Sequence, residues 1–216
     1  MAQAPLLEVK VWGDLACFTR PEMKVERVSY PIMTPSAARG VLESIFWKPE
    51  FTWEVREIWV LRPIQYFSIM RNEIKTRQSE RTARGWSSDG MGNFSAADDR
   101  TQRHTLALRD VSYVIRADTR LRADVTDDIA KFRDQFRRRV QRGRFFNAPY
   151  LGCREFNAFF SPLDGEEDPI AMSGDLGRML LNMEFPEGNL GAGRPQFFDA
   201  ELANGVLRVP PANGGA

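Results

Sequence analysis

Histidine is almost missing from this chain of 216 residues, and cysteine is scarce: His104 stands alone, and the thiols are Cys17 and Cys153. One imidazole and two distant thiols make no CxxC pair and no zinc spacing, so a transition-metal site is not expected. A disulfide between the cysteines stays open as an alternative, with two buried free thiols the preferred reading. No run approaches the roughly 18 apolar residues of a membrane span. The opening MAQAPLLEVKV also lacks a basic stretch leading into a long apolar one, which argues against a signal peptide and for a cytoplasmic protein. There is no GxSxG elbow, no phosphate-binding P-loop and no aromatic octamer of the RNA-recognition type. The acidic pairs Asp98-Asp99 and Glu166-Glu167-Asp168 lack the spacing of a calcium or magnesium loop and read as solvated turns. No cofactor is expected.

Excess charge of one sign is missing as well, since the formal net charge is +1. The distribution is uneven, however. Residues 1–162 carry 27 Lys/Arg against 20 Asp/Glu, whereas residues 163–216 carry 3 against 9. Such asymmetry suggests that one face meets an anionic partner.

Leu7, Val9 and Val11 alternate with charged residues as in a half-buried strand ending near Gly13. Thr34 and Pro35 have the chemistry of a helix start, and Ala37, Ala38, Val41, Leu42 and Ile45 follow at helical spacing. That helix must stop before Pro49, at the aromatic and basic exit Phe46-Trp47-Lys48. Residues 52–71 predict two strands interrupted at Pro63. Asn72 to Arg103 is polar and predicts a long basic loop without elements of its own. Residues 105–122 predict a long strand, followed by a second helix capped by Thr126, with Asp127 and Asp128 at its positive end and Gly143 as its stop. After Tyr150 short strands are expected, the last pair a hairpin closed by Asn204-Gly205, while EGNLGAGRP at 187–195 reads as a flexible loop. This order suits an α+β chain: a ferredoxin-like (RRM-like) β-α-β-β-α-β domain over 1–148 that includes the basic loop 72–103, and a β-rich region with a hairpin over 149–216.

The second helix carries the strongest functional signal. Ile129, Phe132, Phe136 and Val140 form its apolar stripe, and from Lys131 to Arg144 there are seven cations against one acid, Asp134. A helix held by its own ion pairs would interleave acids four residues apart, and this one does not. Uncompensated positive charge at Arg133, Arg137, Arg138 and Arg142 points instead to a phosphate backbone. Non-specific binding of duplex DNA is compatible with the same surface. His104 is a candidate general acid or base, with a plain surface histidine as the alternative.

Taken in order, VWGDLACFTRPEMKVERVSY, MTPSAARGVLESIFWKP, LRPI, the arginine-rich helix and YLGCREF resemble one family over about residues 6–185. It is the subtype I-C variant of the CRISPR-associated family-five proteins, within the RAMP superfamily. The resemblance implies metal-independent cleavage of CRISPR precursor RNA within its repeat. It also implies that the product stays bound in a surveillance complex with other CRISPR-associated subunits. In that chemistry the substrate 2′-OH attacks the adjacent phosphate, and the protein supplies a base, an acid and cations. The family's catalytic groups are a tyrosine in an Ile-Tyr-Trp-Lys-Pro turn and a Lys-His pair early in the second helix. Here those positions read Phe46 and Lys131-Phe132, so the lysine is kept while hydroxyl and imidazole are replaced by hydrocarbon. Three readings follow: an endoribonuclease in which His104 or Tyr150 stands in as proton carrier, a catalytically silent RNA-gripping scaffold, and a ferredoxin-like protein without nucleic acid. In the first two, Lys48 meets phosphate and Trp47 stacks on a base, unless Trp47 is simply a core residue.

Overall fold

The computed structural model describes residues 5–76, 79–90, 92, 94–185 and 193–211. Its spine is β5 (Arg100–Leu121), a strand of 22 residues. Along its C-terminal half β5 runs antiparallel between β1 (Leu7–Ala16) and β3 (Phe51–Val60). Its N-terminal half pairs antiparallel with β4 (Tyr66–Ile74) and parallel with the short β2 (Arg27–Val28). The two halves meet at Asp110, whose φ of 52° marks an irregular step where the strand changes partners.

β6 (Phe159–Ser161) adds to β1, and β9 (Val206–Arg208), β8 (Arg194–Ala203) and β7 (Gly174–Glu184) extend the sheet beyond β3. The path is β6-β1-β5-β3-β9-β8-β7, a mixed α/β architecture with a mostly antiparallel sheet and few helices. Helix α1 (Pro35–Ile45) packs on β3 and β7, and α3 (Ile129–Gln141) packs on β5, β1 and β6 and touches α1. Their buried stripes, Ala38, Val41, Leu42 and Ile45 on α1 and Phe132, Phe136 and Val140 on α3, close one core against the sheet.

Several expectations are met. Thr34 Oγ1 accepts a hydrogen bond from the Ala37 N–H at 3.2 Å, with Pro35 at the helix start. Asn204 and Gly205 both take positive φ, 48° and 74°, as a two-residue turn between right-twisted strands requires. Others need correction. The stretch from Asn72 to Arg103 is not an unstructured loop: β4 continues to Ile74, α2 (Glu80–Asp89) follows, and β5 begins at Arg100. Ser79 caps α2 through the Thr82 N–H, and Gly90 closes it in the left-handed region at φ 62°. The helix buries nothing, so it has no apolar stripe to read. Helix α3 starts at Asp128 rather than Thr126, because the Asp128 carboxylate accepts from the Ala130 N–H at 2.9 Å. Two of the C-terminal strands, β7 and β8, are long rather than short. Residues 187–192 of the glycine-rich stretch lie outside the described residues, whereas Arg194 and Pro195 open β8.

Candidate nucleic-acid interface

Helix α1 ends because Phe46 turns extended, at φ −149° and ψ 111°, while its N–H still donates to Leu42 O. The next three residues, Trp47, Lys48 and Pro49, are exposed, and the chain dives back inward at Phe51 to begin β3. Two donors secure the abandoned carbonyls: Trp53 Nε1 to Phe46 O at 3.0 Å, and Arg139 Nη1 to Ile45 O at 2.9 Å. The Arg139 guanidinium also lies over the Phe46 ring, 5.3 Å from its centroid. Helix α3 thus reaches across and completes the end of α1.

Phe51 sits between the two helices. Its ring centroid is 5.5 Å from that of Phe46 and 5.4 Å from that of Phe132, and Trp53 bridges onward to Phe136 at 4.8 Å. The two positions at which the resemblance expects a tyrosine and a histidine are therefore neighbours in space, separated by one ring. Both side chains are buried, at 1% and 2% exposure, and their packing alone accounts for them. Burying a phenylalanine contributes about 2–3 kcal/mol of transfer free energy. Lys131 stands at the edge of this cluster, mostly exposed, with Nζ 5.4 Å from the Phe132 centroid and 3.1 Å from Asp127 Oδ1.

The basic residues of α3 do not act alike. Arg133 is not available to a ligand: only 5% of its side chain is exposed, Nη1 is 2.5 Å from Asp118 Oδ1, and Nη2 donates to Pro5 O. A guanidinium on the apolar side of the helix needed such partners to be buried at all. Arg137 is exposed and pairs with Asp134 at 2.8 Å. Arg138 and Arg142 are exposed, and no ion pair within 4.0 Å involves them among the described residues. Trp47 is half exposed, which removes the core-residue alternative.

His104 is placed far from this junction. It is exposed on β5 opposite Met70, and its backbone N–H donates to Glu26 Oε2. Fourteen residues along β5 separate it from Asp118, the partner of Arg133, about 45 Å at a strand rise of about 3.3 Å per residue. None of the contacts found for His104 among the described residues reaches α1 or α3. Tyr150 lies on the wall of a cavity of about 240 Å³ that runs beside α1 and is also lined by Ser36, Ala37, Gly40 and Ser44. Small residues on α1 leave that space open, and nothing lies within 4 Å of where a Gly40 Cβ would be.

The sequence reading passed over Phe145 and Phe146. Both are exposed, and the segment is tied to α1 because Phe146 and Asn147 N–H groups donate to Ser44 O at 2.8 and 3.0 Å. The signal was the alternation of cation and aromatic in RGRFFNAPY, immediately after the helix stop at Gly143. Trp47 and Lys48 at the exit of α1, Lys131 beside Phe132, and this aromatic pair tied to Ser44 lie where α1 and α3 meet, while Arg138 and Arg142 lie on the exposed face of α3. Among the described residues no group of three or more His, Cys, Asp or Glu side chains is placed to hold a metal ion, and no helix is long and apolar enough to cross a membrane.

The family model for CRISPR-associated protein (Cas_Cas5), in its Cas5d form, matches residues 6–210. A protein of Thermus thermophilus named CRISPR pre-crRNA endoribonuclease Cas5d is 47% identical over 219 residues, covering 94% of this chain and 91% of the relative. One of the same name from Mannheimia succiniciproducens is 44% identical over 222 residues, with 95% of each chain covered. A solved CRISPR-associated protein superposes with a TM-score of 0.68 at 23% identity, over 97% of this chain and 94% of the other. A chain of a CRISPR RNA-guided surveillance complex gives 0.55 at 12% identity, over 96% and 91%, which speaks to the fold alone. The chain belongs to the Cas5d family of CRISPR-associated proteins.

Proposed function

We propose that this chain is a subtype I-C member of its family that cuts CRISPR precursor RNA within the repeat and remains on the product as a subunit of a cytoplasmic surveillance complex. The observation that carries this reading is the convergence of Phe46 and Phe132 on Phe51, with Lys131, Trp47 and Lys48 on the solvent side of the same cluster. The names of the two relatives support it. The antiparallel order β6-β1-β5-β3, with α1 and α3 in the connections, is the order a ferredoxin-like domain would have and supports the reading, although β6 at Phe159–Ser161 carries it past the boundary expected at residue 148. The region 149–216 then contributes the outer strands.

The cleavage proposed is metal-independent. The 2′-oxygen of the nucleotide before the cut bonds to phosphorus as its proton leaves to a base. The bond from phosphorus to the 5′-oxygen breaks, that oxygen takes a proton, and a 2′,3′-cyclic phosphate remains. Lys131 stabilises the charge that builds on the phosphorane oxygens. Tyr150, in the cavity beside α1, is the proton carrier in place of the missing groups. Trp47 stacks on a base, while Lys48, Arg137, Arg138 and Arg142 hold phosphates. The same cations hold duplex DNA without sequence preference.

One observation favours a second reading. Phe46 and Phe132 are buried hydrocarbon where the family pattern has proton-handling groups, which suits a silent subunit gripping the 5′ end of the CRISPR RNA. Incubating the protein with repeat RNA in EDTA, with and without a 2′-deoxy substitution at the cut, separates the two. Specific cleavage that the substitution abolishes is the expected result. Tight binding without product overturns the nuclease in favour of the scaffold, and absence of binding overturns both.

A further inference from the structure

Cys17 follows directly on β1 and is fully buried, with its N–H donating to Leu151 O at 3.0 Å. Cys153 lies in the next turn of that same segment, partly exposed, so the pair is not two buried thiols. Its Sγ is 3.5 Å from Cys17 O. Thr19 Oγ1 touches both sulfurs, at 3.5 Å from Cys17 Sγ and 3.8 Å from Cys153 Sγ. Gly152 makes this approach possible. At φ 82° it lies against the Cys17 carbonyl, and a Cβ there would collide with that group. Hydrogen bonds from Leu151 N to Phe156 O and from Phe156 N to Cys153 O hold the turn closed.

The surroundings of Cys153 are electropositive. Arg27 Nη1 is 3.4 Å from its sulfur and 2.6 Å from Glu155 Oε1. Arg27, Arg71 and Arg103 all approach Glu73, at 3.7, 2.8 and 3.1 Å, and Arg71 also reaches Glu155 at 3.4 Å. Among the described residues three guanidinium groups thus face two carboxylates, and Arg71 Nη2 is buried with no hydrogen-bond partner. A thiolate at Cys153 balances the cluster. Hydrogen bonding from Cys17 and Thr19 and the charge of Arg27 pull the Cys153 thiol down to about 6, against burial and the opposing charge of Glu155. Cys17 is pushed up, by the hydrogen bond it shares with Cys153 and by burial.

We propose that Cys153 and Cys17 form a peroxide-responsive dithiol, converted by hydrogen peroxide into an intramolecular disulfide. The Cys153 thiolate attacks one peroxide oxygen, the O–O bond breaks, and hydroxide leaves and is protonated to water, with sulfur oxidised to the sulfenic acid. The neighbouring Cys17 thiol loses its proton and attacks that sulfur, and a second water leaves as the S–S bond forms. Once Cys153 is a neutral sulfenic acid, Cys17 no longer shares its hydrogen bond with a thiolate, and burial is what still opposes its ionisation. The product ties the turn 150–153 to the end of β1, beside the cavity that Tyr150 lines.

This inference does not rest on the nuclease reading, and its test uses mass and thiol chemistry rather than cleavage. The full chain is exposed to a small excess of hydrogen peroxide, alkylated, and weighed intact. The expected product is about 2 Da lighter, has no alkylatable thiol, and is restored by dithiothreitol. In Cys17→Ala the same treatment adds oxygen to Cys153 with no internal cross-link. For the reduced protein, Cys153 alkylation changes less than about twofold between pH 7 and 9, whereas an ordinary thiol near 8.5 speeds up about 25-fold. Two alkylatable thiols after peroxide, cross-linking between chains, or the steep pH profile would each overturn the proposal.

Discussion

Arg133 and Arg138 lie five residues apart on α3, and the structure puts them to opposite uses. The first is buried against Asp118 and Pro5 O, pinning the helix to the sheet. The second is exposed, and no ion pair involving it is found among the described residues. A run of arginines reads as one basic face in sequence, yet only the cations opposite the Phe132-Phe136-Val140 stripe can meet a polyanion. Charge count alone overstates the interface, and the helical position of each residue corrects it.

Breaking the buried member is expected to have the largest effect. Arg133→Ala leaves Asp118 without its partner and should cost about 3 kcal/mol, lowering the melting temperature by about 6–12 °C. RNA affinity measured well below that temperature should stay within about twofold. An unchanged melting temperature would mean that the Arg133–Asp118 pair contributes nothing. Trp47→Ala, at the exposed exit of α1, should weaken repeat-RNA binding about tenfold, the scale of one lost stacking contact. Thermal denaturation of this variant should move little, because half of that side chain is already in water. The smallest effect belongs to the exposed arginines. Arg138→Ala with Arg142→Ala should reduce the slope of log affinity against log salt by about 1.4 in single-stranded RNA, with stability unchanged within about 0.5 kcal/mol. An unaltered slope would place the RNA on another face.

Much of this division was legible beforehand. The stripes of α1 and α3, the Thr34 cap and the Asn204-Gly205 turn are local patterns, and they dictated local structure. What escaped was non-local or two-faced. Residues 100–105, RTQRHT, have no apolar alternation because one face of the β4–β5 hairpin is exposed and the other is half-buried among polar groups, held by ion pairs such as Arg103–Glu73 and by Arg71 on the buried Thr105. Arg133 could not be distinguished from its neighbours without knowing that Asp118, fifteen residues earlier on β5, would stand beneath it. Lys131 and the positions of Phe46 and Phe132 came from family resemblance, and the packing around Phe51 explains why they converge. His104 was chosen for its chemistry alone, and it lies on the N-terminal half of β5, opposite Met70, whereas Arg133 of α3 is held by Asp118 on the other half.

The central claim is that the junction of α1 and α3 is where RNA is cut, with Lys131 acting on the phosphate in the transition state. Single-turnover cleavage and equilibrium affinity for the same repeat RNA, measured side by side for Lys131→Ala, test it most directly. The account predicts that cleavage falls by about 100-fold, while affinity changes by no more than about threefold, the worth of one exposed cation. Equal losses in both would reduce Lys131 to an ordinary phosphate contact and contradict the account.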